Sequence, residues 1–346
     1  MTYCQIIPPY LLEKIAAEHS DPQLVERVRA TLSIDQGMRE RRMTVVAAPQ
    51  STDTAFAVYD AGHGTDLPGT PKRKEGDPET GDQETDEAYA GVQEILAMYS
   101  EVYGRTSFDD KGADVLATVH FDNAYDNAFW NGEQLVFGDG DGVYFQRFTS
   151  PVDIIGHEFT HAVTQFTAGL TYQGQSGALN ESMSDVIGIS LKQRLAGQSA
   201  AEADWLIGEG IFTATVQGVA LRSMKDPGSA YDDPNLGKDP QVGSMDDYVD
   251  TTEDNGGVHT NSGIPNKAFY LAATAIGGNA WDGAGKIWYA ALTSGIGADT
   301  DFSAFAAATV KAAGAVSAEA EKAVTEAWQG VKVPVGSTVG SGASGE

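Results

Sequence analysis

His157-Glu158-Phe159-Thr160-His161 is the most informative stretch of this sequence. On an α-helix, residues four positions apart share one face, so the two imidazoles would point in the same direction. Two imidazoles on one face can hold a zinc ion, and the carboxylate beside them can accept a proton from a metal-bound water. The stretch therefore predicts a metal-binding helix with a general base next to the metal.

The residues on both sides of this stretch favour a helix. Pro151 and Asp153 are typical of a helix start. Apolar side chains recur at helical spacing, at Ile154, Ile155, Phe159, Ala162, Val163 and Phe166. A buried helix whose two histidines are satisfied by hydrogen bonds would show the same pattern, so the stretch alone leaves a structural role open.

A second helix is predicted around residues 177–185, which read Gly-Ala-Leu-Asn-Glu-Ser-Met-Ser-Asp. Glu181 is a candidate third metal ligand, and Asp185, one turn later, is a candidate hydrogen-bond partner for a ligand histidine. Three protein ligands leave one coordination position open, which distinguishes a catalytic zinc from a structural one. Together the two helices favour a zinc enzyme.

Three further segments carry motifs: residues 127–132 (Asn-Ala-Phe-Trp-Asn-Gly), 221–224 (Leu-Arg-Ser-Met) and 254–263 (Asp-Asn-Gly-Gly-Val-His-Thr-Asn-Ser-Gly). In order and spacing, these segments and the two helices resemble the thermolysin-like zinc metallopeptidases. The resemblance runs from about residue 59 to about residue 330. The short N-terminal segment resembles that of the protealysin-like members rather than a long propeptide.

The resemblance implies a zinc-dependent neutral endopeptidase that cleaves peptides or proteins on the amino side of bulky hydrophobic residues. It also implies a precursor with a removable N-terminal segment, which would act as an intramolecular partner. Glu158 would be the general base. His259 and Tyr172 match the family positions that stabilise an oxyanion, with Asp254 orienting His259. From the sequence alone, His259 is only a histidine in a glycine-rich loop.

Substrate contacts are also implied by the resemblance. Asn127 and Ala128 match positions that hold the backbone of an extended peptide, and Arg222 matches a residue that donates to a substrate carbonyl. A structural role for these residues stays open, although Arg222 in Leu-Arg-Ser-Met would then be a charge in an apolar setting.

One departure from the family concerns calcium. Relatives bind this ion through a cluster of carboxylates, which Asp153, Asp204 and Glu209 match here. Lys192 and Leu206 stand where further carboxylates are expected. Because an ammonium can neutralise the remaining acids without an ion, the substitution casts doubt on Ca²⁺ as a cofactor.

The amino-acid composition argues against two classes of binding partner. The net charge of −27 argues against nucleic acid and anionic membranes, since both would repel the chain. Cys4 is the single cysteine, which excludes an internal disulfide.

We expect a monomer. The family implies secretion, but the N-terminus has no recognisable signal peptide, which leaves cytoplasmic accumulation open.

We expect an α+β protein with a β-rich N-terminal lobe, a mainly helical C-terminal lobe and the zinc-binding helix between them. The predicted units are a helical propeptide at 1–50, the β-rich lobe at 51–165, the helical lobe at 166–330 and a flexible tail at 331–346. Predicted details are a helix at 86–103 capped by Thr85, strands at 115–120, 134–137 and 143–145 with a hairpin turn at 138–142, and an exposed mobile loop at 62–85.

The N-terminal motif around Cys4, Pro8, Pro9 and Tyr10 has two interpretations. Two prolines could stiffen an extended plug for the peptide groove, or Tyr10 could anchor the unit by apolar contact. Ligation of zinc by Cys4 is a further alternative. Release would follow cleavage between residues 42 and 57.

Two other functions are compatible with a zinc motif. An aminopeptidase would need an acidic pocket for a free amine, and no motif in the sequence supplies one. A catalytically silent peptide-binding module would be favoured by loss of Glu158 or of a ligand, and all four residues are present.

Overall fold

The computed structural model describes residues 4–40 and 55–335. The expected α+β architecture is confirmed, with a sheet in the N-terminal half and a mainly helical C-terminal half. The strands of the main sheet are β1 (Cys4–Gln5), β2 (Phe56–Asp60), β3 (Thr70–Lys74), β4 (Val115–Val119), β5 (Ala128–Trp130) and β6 (Leu135–Phe137).

The six strands lie in the order β1-β5-β6-β4-β2-β3. Strands β2, β4 and β6 are parallel neighbours, and their apolar sequences are typical of parallel strands that are covered on both faces. Strand β5 runs antiparallel to β6, and β1 pairs antiparallel with β5. The first described residues of the chain are therefore the outermost strand of the sheet at that end.

Helices account for most of the remaining structure. The helices α4 and α5 pack closely because Gly156 and Gly188 face each other: a Cβ on Gly156 would lie 3.0 Å from the Cα of Gly188. The helices are α1 (Pro9–Glu18), α2 (Pro22–Glu40), α3 (Gln83–Tyr103), α4 (Val152–Gln165), α5 (Gly174–Ala196), α6 (Asp254–Asn261), α7 (Gly263–Ile276), α8 (Ala284–Leu292), α9 (Phe302–Gly314) and α10 (Ala318–Gly330). Between α5 and α6 lie two short ribbons, β7 (Leu206–Ile207) with β8 (Arg222–Ser223) and β9 (Asp232–Asp233) with β10 (Gly237–Lys238).

The two predicted N-terminal helices are present as α1 and α2. Leu11, Leu12 and Ile15 of α1 and Leu24 and Val28 of α2 are buried in the same apolar core as the rest of the chain. The N-terminal unit is therefore packed on the body. The predicted cleavage region lies mostly outside the described residues, and so does the tail from residue 336.

Three local predictions were wrong. Residues 70–74 form the edge strand β3 instead of a loop, because they pair with β2. Residues 143–145 are not a strand: Asp141 Oδ1 accepts hydrogen bonds from the backbone of all three, so residues 138–142 are a loop and not a hairpin turn. Helix α3 begins at Gln83, since Asp82 and not Thr85 caps it.

The close approach of α4 and α5 gives a test of the packing. A Cβ on Gly188 would lie 2.5 Å from the carbonyl oxygen of Asp153, which is backbone and cannot move aside cheaply. We expect Gly188→Ala to lower the free energy of unfolding by about 1–3 kcal/mol. Thermal unfolding of the chain that retains residues 1–40 measures the effect.

Gly37→Ala is the matched control, because Gly37 lies in α2 and, apart from its own helix backbone and chain neighbours, no described residue has an atom within 4 Å of the position that its Cβ would take. It should leave stability unchanged or raise it by about 0.5–1 kcal/mol. Equal effects of the two substitutions would contradict the packing described here.

Candidate active site

Helices α4 and α5 bring three potential metal ligands together in the protein interior. His157 and His161 lie one turn apart on α4, and their Nε2 atoms are 3.0 Å apart. Glu181 on α5 places one carboxylate oxygen 3.5 Å from His157 Nε2 and the other 3.4 Å from His161 Nε2. All three side chains are buried. The predicted ligand set is thus assembled, and its geometry matches three donors around one ion.

The hydrogen bonds behind the imidazoles decide which nitrogen faces the other ligands. His157 Nδ1 lies 2.8 Å from Asp185 Oδ1, and His161 Nδ1 lies 2.9 Å from Asn180 Oδ1. Because a carboxylate and an amide oxygen accept hydrogen bonds from Nδ1–H, each Nε2 keeps its lone pair. Among the described residues, Glu181 Oε2 is buried without a hydrogen-bond partner. Lone pairs left unsatisfied in this way fit a metal ion.

Glu158 follows the first ligand along α4 and is completely buried. Its Oε2 accepts a hydrogen bond of 2.9 Å from the backbone of Trp130 on β5, whereas its Oε1 has no partner among the described residues. Burial, together with the nearby charge of Glu181, raises the pKa of Glu158 well above its usual value. A buried carboxylate with one oxygen unpaired among the described residues, next to the candidate ligands, is placed to act as a base.

His259 reaches the same site from α6. Its Nε2 lies 3.4 Å from Glu181 Oε2 and 3.4 Å from the Tyr172 hydroxyl, and its Nδ1 lies 2.8 Å from Asp254 Oδ1. Burial alone would lower the pKa of His259, but Asp254 and Glu181 raise it to about 9. The predicted pairing of Asp254 with His259 is therefore present, and it keeps the imidazole a donor at neutral pH.

A tight backbone turn places His259. Gly256 has a φ of 84°, and a Cβ there would lie 2.9 Å from the backbone nitrogen of Gly174. Only glycine combines this conformation with so close an approach. The glycine-rich composition that made His259 uninformative in the sequence is thus what brings its side chain to the ligands.

Arg222 and Asp185 form a buried ion pair behind the ligands. Arg222 Nε and Nη2 donate to the two oxygens of Asp185 at 2.9 and 2.8 Å, and Asn266 Nδ2 donates to Asp185 Oδ2 at 2.8 Å. Although burial opposes the charge, Arg222 and His157 hold the pKa of Asp185 well below its usual range. Asp185 therefore stays ionised and orients both a ligand and an arginine.

The chain's own residues 4–7 occupy the groove beside this site. Ile6 N donates to the Ala128 carbonyl at 3.2 Å, while Arg222 Nη1 donates to the Ile6 carbonyl at 3.1 Å. Ile7 exchanges two hydrogen bonds with the Asn127 side chain, at 2.9 and 3.3 Å. The three residues predicted to contact a substrate backbone thus hold an extended peptide that belongs to the same chain.

The carbonyl of Gln5 completes these contacts, because it lies 2.9 Å from His259 Nε2. The predicted oxyanion residue therefore contacts a peptide carbonyl in the groove. The side chain of Ile6, the next residue, is fully buried.

The N-terminal motif is only partly as predicted. Pro8 caps α1 and Pro9 is its first residue, so the prolines start a helix and do not stiffen the segment in the groove. Tyr10 packs against the apolar core of the body, as the anchoring alternative predicts. The backbone of Cys4 pairs with β5, whereas the side chain of Cys4 is not among those that the structure describes.

Comparison with known proteins identifies the family. The family model of the thermolysin metallopeptidase catalytic domain matches residues 35–165, and that of the thermolysin metallopeptidase α-helical domain matches residues 168–333. The chain belongs to the thermolysin family. It is a zinc-dependent neutral metalloendopeptidase made with a propeptide.

Individual relatives agree with this placement. The chain is 46% identical over 345 residues to protease PrtS of Photorhabdus sp. (strain Az29), covering 96% of this chain and 93% of PrtS. It is 44% identical to an extracellular metalloprotease of Pectobacterium carotovorum subsp. carotovorum, over 96% of this chain and 97% of the relative. The precursor of protealysin from Serratia proteamaculans has a similar structure, with a TM-score of 0.88, 45% identity and coverage of 95% of this chain and 99% of the precursor.

The predicted carboxylate cluster of Asp204 and Glu209 contains a lysine ammonium. Lys192 Nζ lies 3.1 Å from Asp204 Oδ1, 2.8 Å from Glu209 Oε2 and 3.1 Å from the Leu206 carbonyl. Asp153 instead accepts a hydrogen bond from the backbone of Gly208. The predicted salt link is present.

Several polar residues of the site had no signal in the sequence. Asn180 and Ser184 contact the imidazole of His161, and Asn266 contacts Asp185. Asp35 on α2 accepts hydrogen bonds from the Tyr125 hydroxyl and the Asn127 amide. A polar residue on a helix is usually solvated, so the sequence offered no reason to place Asp35 next to the groove. The Asp35 contacts connect the N-terminal unit to Asn127, a residue predicted to bind substrate.

Asp35→Ala tests that connection. The substitution leaves the buried donors of Tyr125 and Asn127 without their Asp35 acceptor, which costs about 1–3 kcal/mol for each group left unsatisfied. The N-terminal unit should be held more weakly, so freshly purified precursor should lose it and gain activity sooner than the wild type. Mass spectrometry and peptide hydrolysis measure the two time courses.

Glu26→Ala, an exposed substitution on the same helix, should leave both time courses unchanged. The processed enzymes should have equal activity, because neither position is retained in them. Identical time courses for Asp35→Ala and the wild type would show that Asp35 does not hold the unit.

Proposed function

We propose that His157, His161 and Glu181 hold the zinc ion and that Glu158 is the general base. The buried assembly of these four side chains, with one oxygen of Glu158 unpaired, is the observation that carries the proposal. When bound, zinc lowers the pKa of its water and polarises the substrate carbonyl. Glu158 then takes the proton of the attacking water and delivers it to the leaving amine.

His259 and Tyr172 stabilise the oxyanion in this proposal. The support is the contact of His259 with the Gln5 carbonyl, because this nitrogen already faces a peptide oxygen. Asp254 keeps the imidazole a donor, as its effect on the pKa of His259 indicates. Asp185 positions His157 and Arg222 and does not itself touch the substrate.

The bound N-terminal segment also supports a specificity. Its Gln5 carbonyl contacts His259, and the next residue, Ile6, places a buried apolar side chain beyond that peptide group. Asn127, Ala128 and Arg222 form hydrogen bonds with the backbone of the residues that follow this peptide group. A substrate in this register would be cleaved on the amino side of a bulky hydrophobic residue.

We propose the same division of the chain that the sequence predicts: a propeptide at 1–50, lobes at 51–165 and 166–330, and a tail at 331–346. The matched family models, which meet between residues 165 and 168, support the boundary between the lobes. The name of the Pectobacterium relative supports an extracellular destination, and action as a monomer is our expectation. Among the described helices, none is both long and apolar enough to cross a membrane.

Glu158→Gln tests the mechanism. The substitution removes the base and keeps all three ligands, so the protein should bind zinc normally and lose nearly all turnover. It should also keep its N-terminus, whereas the wild type should lose it. Metal analysis, N-terminal sequencing and casein digestion with and without a chelator measure these effects.

The casein products distinguish the alternatives. Internal cuts before bulky apolar residues, abolished by the chelator, are expected. Terminal trimming would indicate an aminopeptidase, and a Glu158→Gln protein that binds zinc and keeps more than a few per cent of activity would refute the assigned base.

The lysine at the calcium position predicts a weak response to calcium. The ammonium of Lys192 already compensates Asp204 and Glu209, so added Ca²⁺ should change the melting temperature little. Lys192→Glu removes this compensation and adds a carboxylate, so that variant should unfold at a lower temperature and recover when calcium is added. A rise of about 10 °C or more in the wild type would reveal a calcium site missing from this account.

A further inference from the structure

Two histidines and an aspartate meet at one edge of the main sheet, away from the helices that carry the zinc ligands. The strands β2, β4 and β6 are parallel, so their carboxyl ends lie at the same edge. His63 follows β2, His120 follows β4 and Asp139 follows β6. The carboxyl ends of parallel strands are a common place for ligand-binding groups.

The potential ligand atoms of these three side chains all lie within 4.8 Å of one another. His120 Nδ1 is 2.9 Å and His63 Nδ1 is 3.4 Å from the same oxygen, Asp139 Oδ2. The His63 backbone donates to the His120 carbonyl at 2.9 Å, which fixes the two residues beside each other. Both have left-handed backbones, with φ values of 60° and 53°. Such conformations are costly for residues other than glycine and are concentrated at functional sites.

A protonated His120 would explain part of this arrangement. Its Nε2 lies 3.2 Å from Asp82, the residue that caps α3, so the ring stands between two carboxylates. The hydrogen bond to Asp139 is the main cause that raises the pKa of His120 to about 9. His63 also approaches Asp139 Oδ2, and its ring lies edge-on to the ring of His120 with the centroids 5.3 Å apart, so two imidazoles border one carboxylate oxygen.

We propose that His63, His120 and Asp139 form a second metal site, which takes a divalent transition-metal ion such as Zn²⁺ or Ni²⁺. Two imidazole nitrogens and one carboxylate oxygen suit these ions, whereas Ca²⁺ and Mg²⁺ prefer oxygen ligands throughout. The side chain of His63 is 58% exposed, so the ion can enter from solvent and retain water ligands. A bound ion would join the ends of three strands and stabilise the folded sheet.

Titration of Ni²⁺ into the zinc-loaded Glu158→Gln chain, without a polyhistidine tag, tests the proposal. Calorimetry should show one Ni²⁺ per chain while the zinc content stays constant, and thermal unfolding should shift to a higher temperature. Ca²⁺ at the same concentration should bind elsewhere or not at all. Because protons compete with metal ions for imidazole nitrogens, the affinity should fall at acidic pH.

Two variants and one control identify the ligands. His63→Ala removes an exposed side chain and should weaken Ni²⁺ binding by about 10-fold or more, as should Asp139→Asn. His19→Ala should leave binding unchanged, since among the described residues the imidazole of His19 contacts Asp21 and Tyr144 and none of the three proposed ligands. Circular dichroism confirms that each variant is folded.

The outcome that overturns the proposal is specific. If no Ni²⁺ binds to the zinc-loaded chain, the cluster is an ion-paired imidazolium and not a metal site. Unchanged Ni²⁺ affinity in both His63→Ala and Asp139→Asn, or equal losses in His19→Ala, would place the ion elsewhere.

Discussion

The buried carboxylate of Asp185 is the group on which the active site most depends. It accepts hydrogen bonds from Arg222 through two nitrogens and from Asn266, and it faces the Nδ1 of His157. Burial of an isolated carboxylate is strongly unfavourable, so its charge persists only because these donors surround it. One residue thereby fixes the tautomer of a candidate metal ligand and the position of Arg222, which donates to the Ile6 carbonyl.

The N-terminal segment uses the same preorganised groups. Arg222 donates to the Ile6 carbonyl, and His259 contacts the Gln5 carbonyl, while Asn127 binds Ile7. On the proposed function, the segment therefore occupies the groove without distorting the site, because it satisfies donors and acceptors that a substrate would satisfy. Asp35 adds a contact outside the groove, so the helices α1 and α2 do more than shield the site. Loss of the helical unit would remove both sets of contacts together.

The sequence predicted that the candidate ligands and Glu158 lie together, because their placement depends on local helix geometry. Residues four apart on α4 must share a face, and Asp185 follows Glu181 by one turn on α5. The contacts that join distant segments could not be predicted in this way. Asn266 meets Asp185 across 81 positions, and Asp35 meets Asn127 across 92.

Local predictions failed where strand pairing, a side-chain acceptor or a helix start decided the backbone conformation. The polar sequence of residues 70–74 has little strand propensity, yet these residues form a strand because they pair with β2. The apolar residues 143–145 look like a strand, but the carboxylate of Asp141 takes their backbone donors. Pro8 and Pro9 suggested stiffness in the groove, whereas their conformation suits a helix start equally well.

X-ray absorption at the zinc edge of the intact Glu158→Gln precursor, loaded with one equivalent of zinc, tests the central claim most directly. The claim is that His157, His161 and Glu181 hold the ion and leave a position open. We predict two imidazoles and oxygen ligands at about 2.0–2.2 Å, with no sulfur at about 2.3 Å. A spectrum with fewer than two imidazoles would contradict the ligand set, and a sulfur neighbour would mean that Cys4 fills the open position in the precursor.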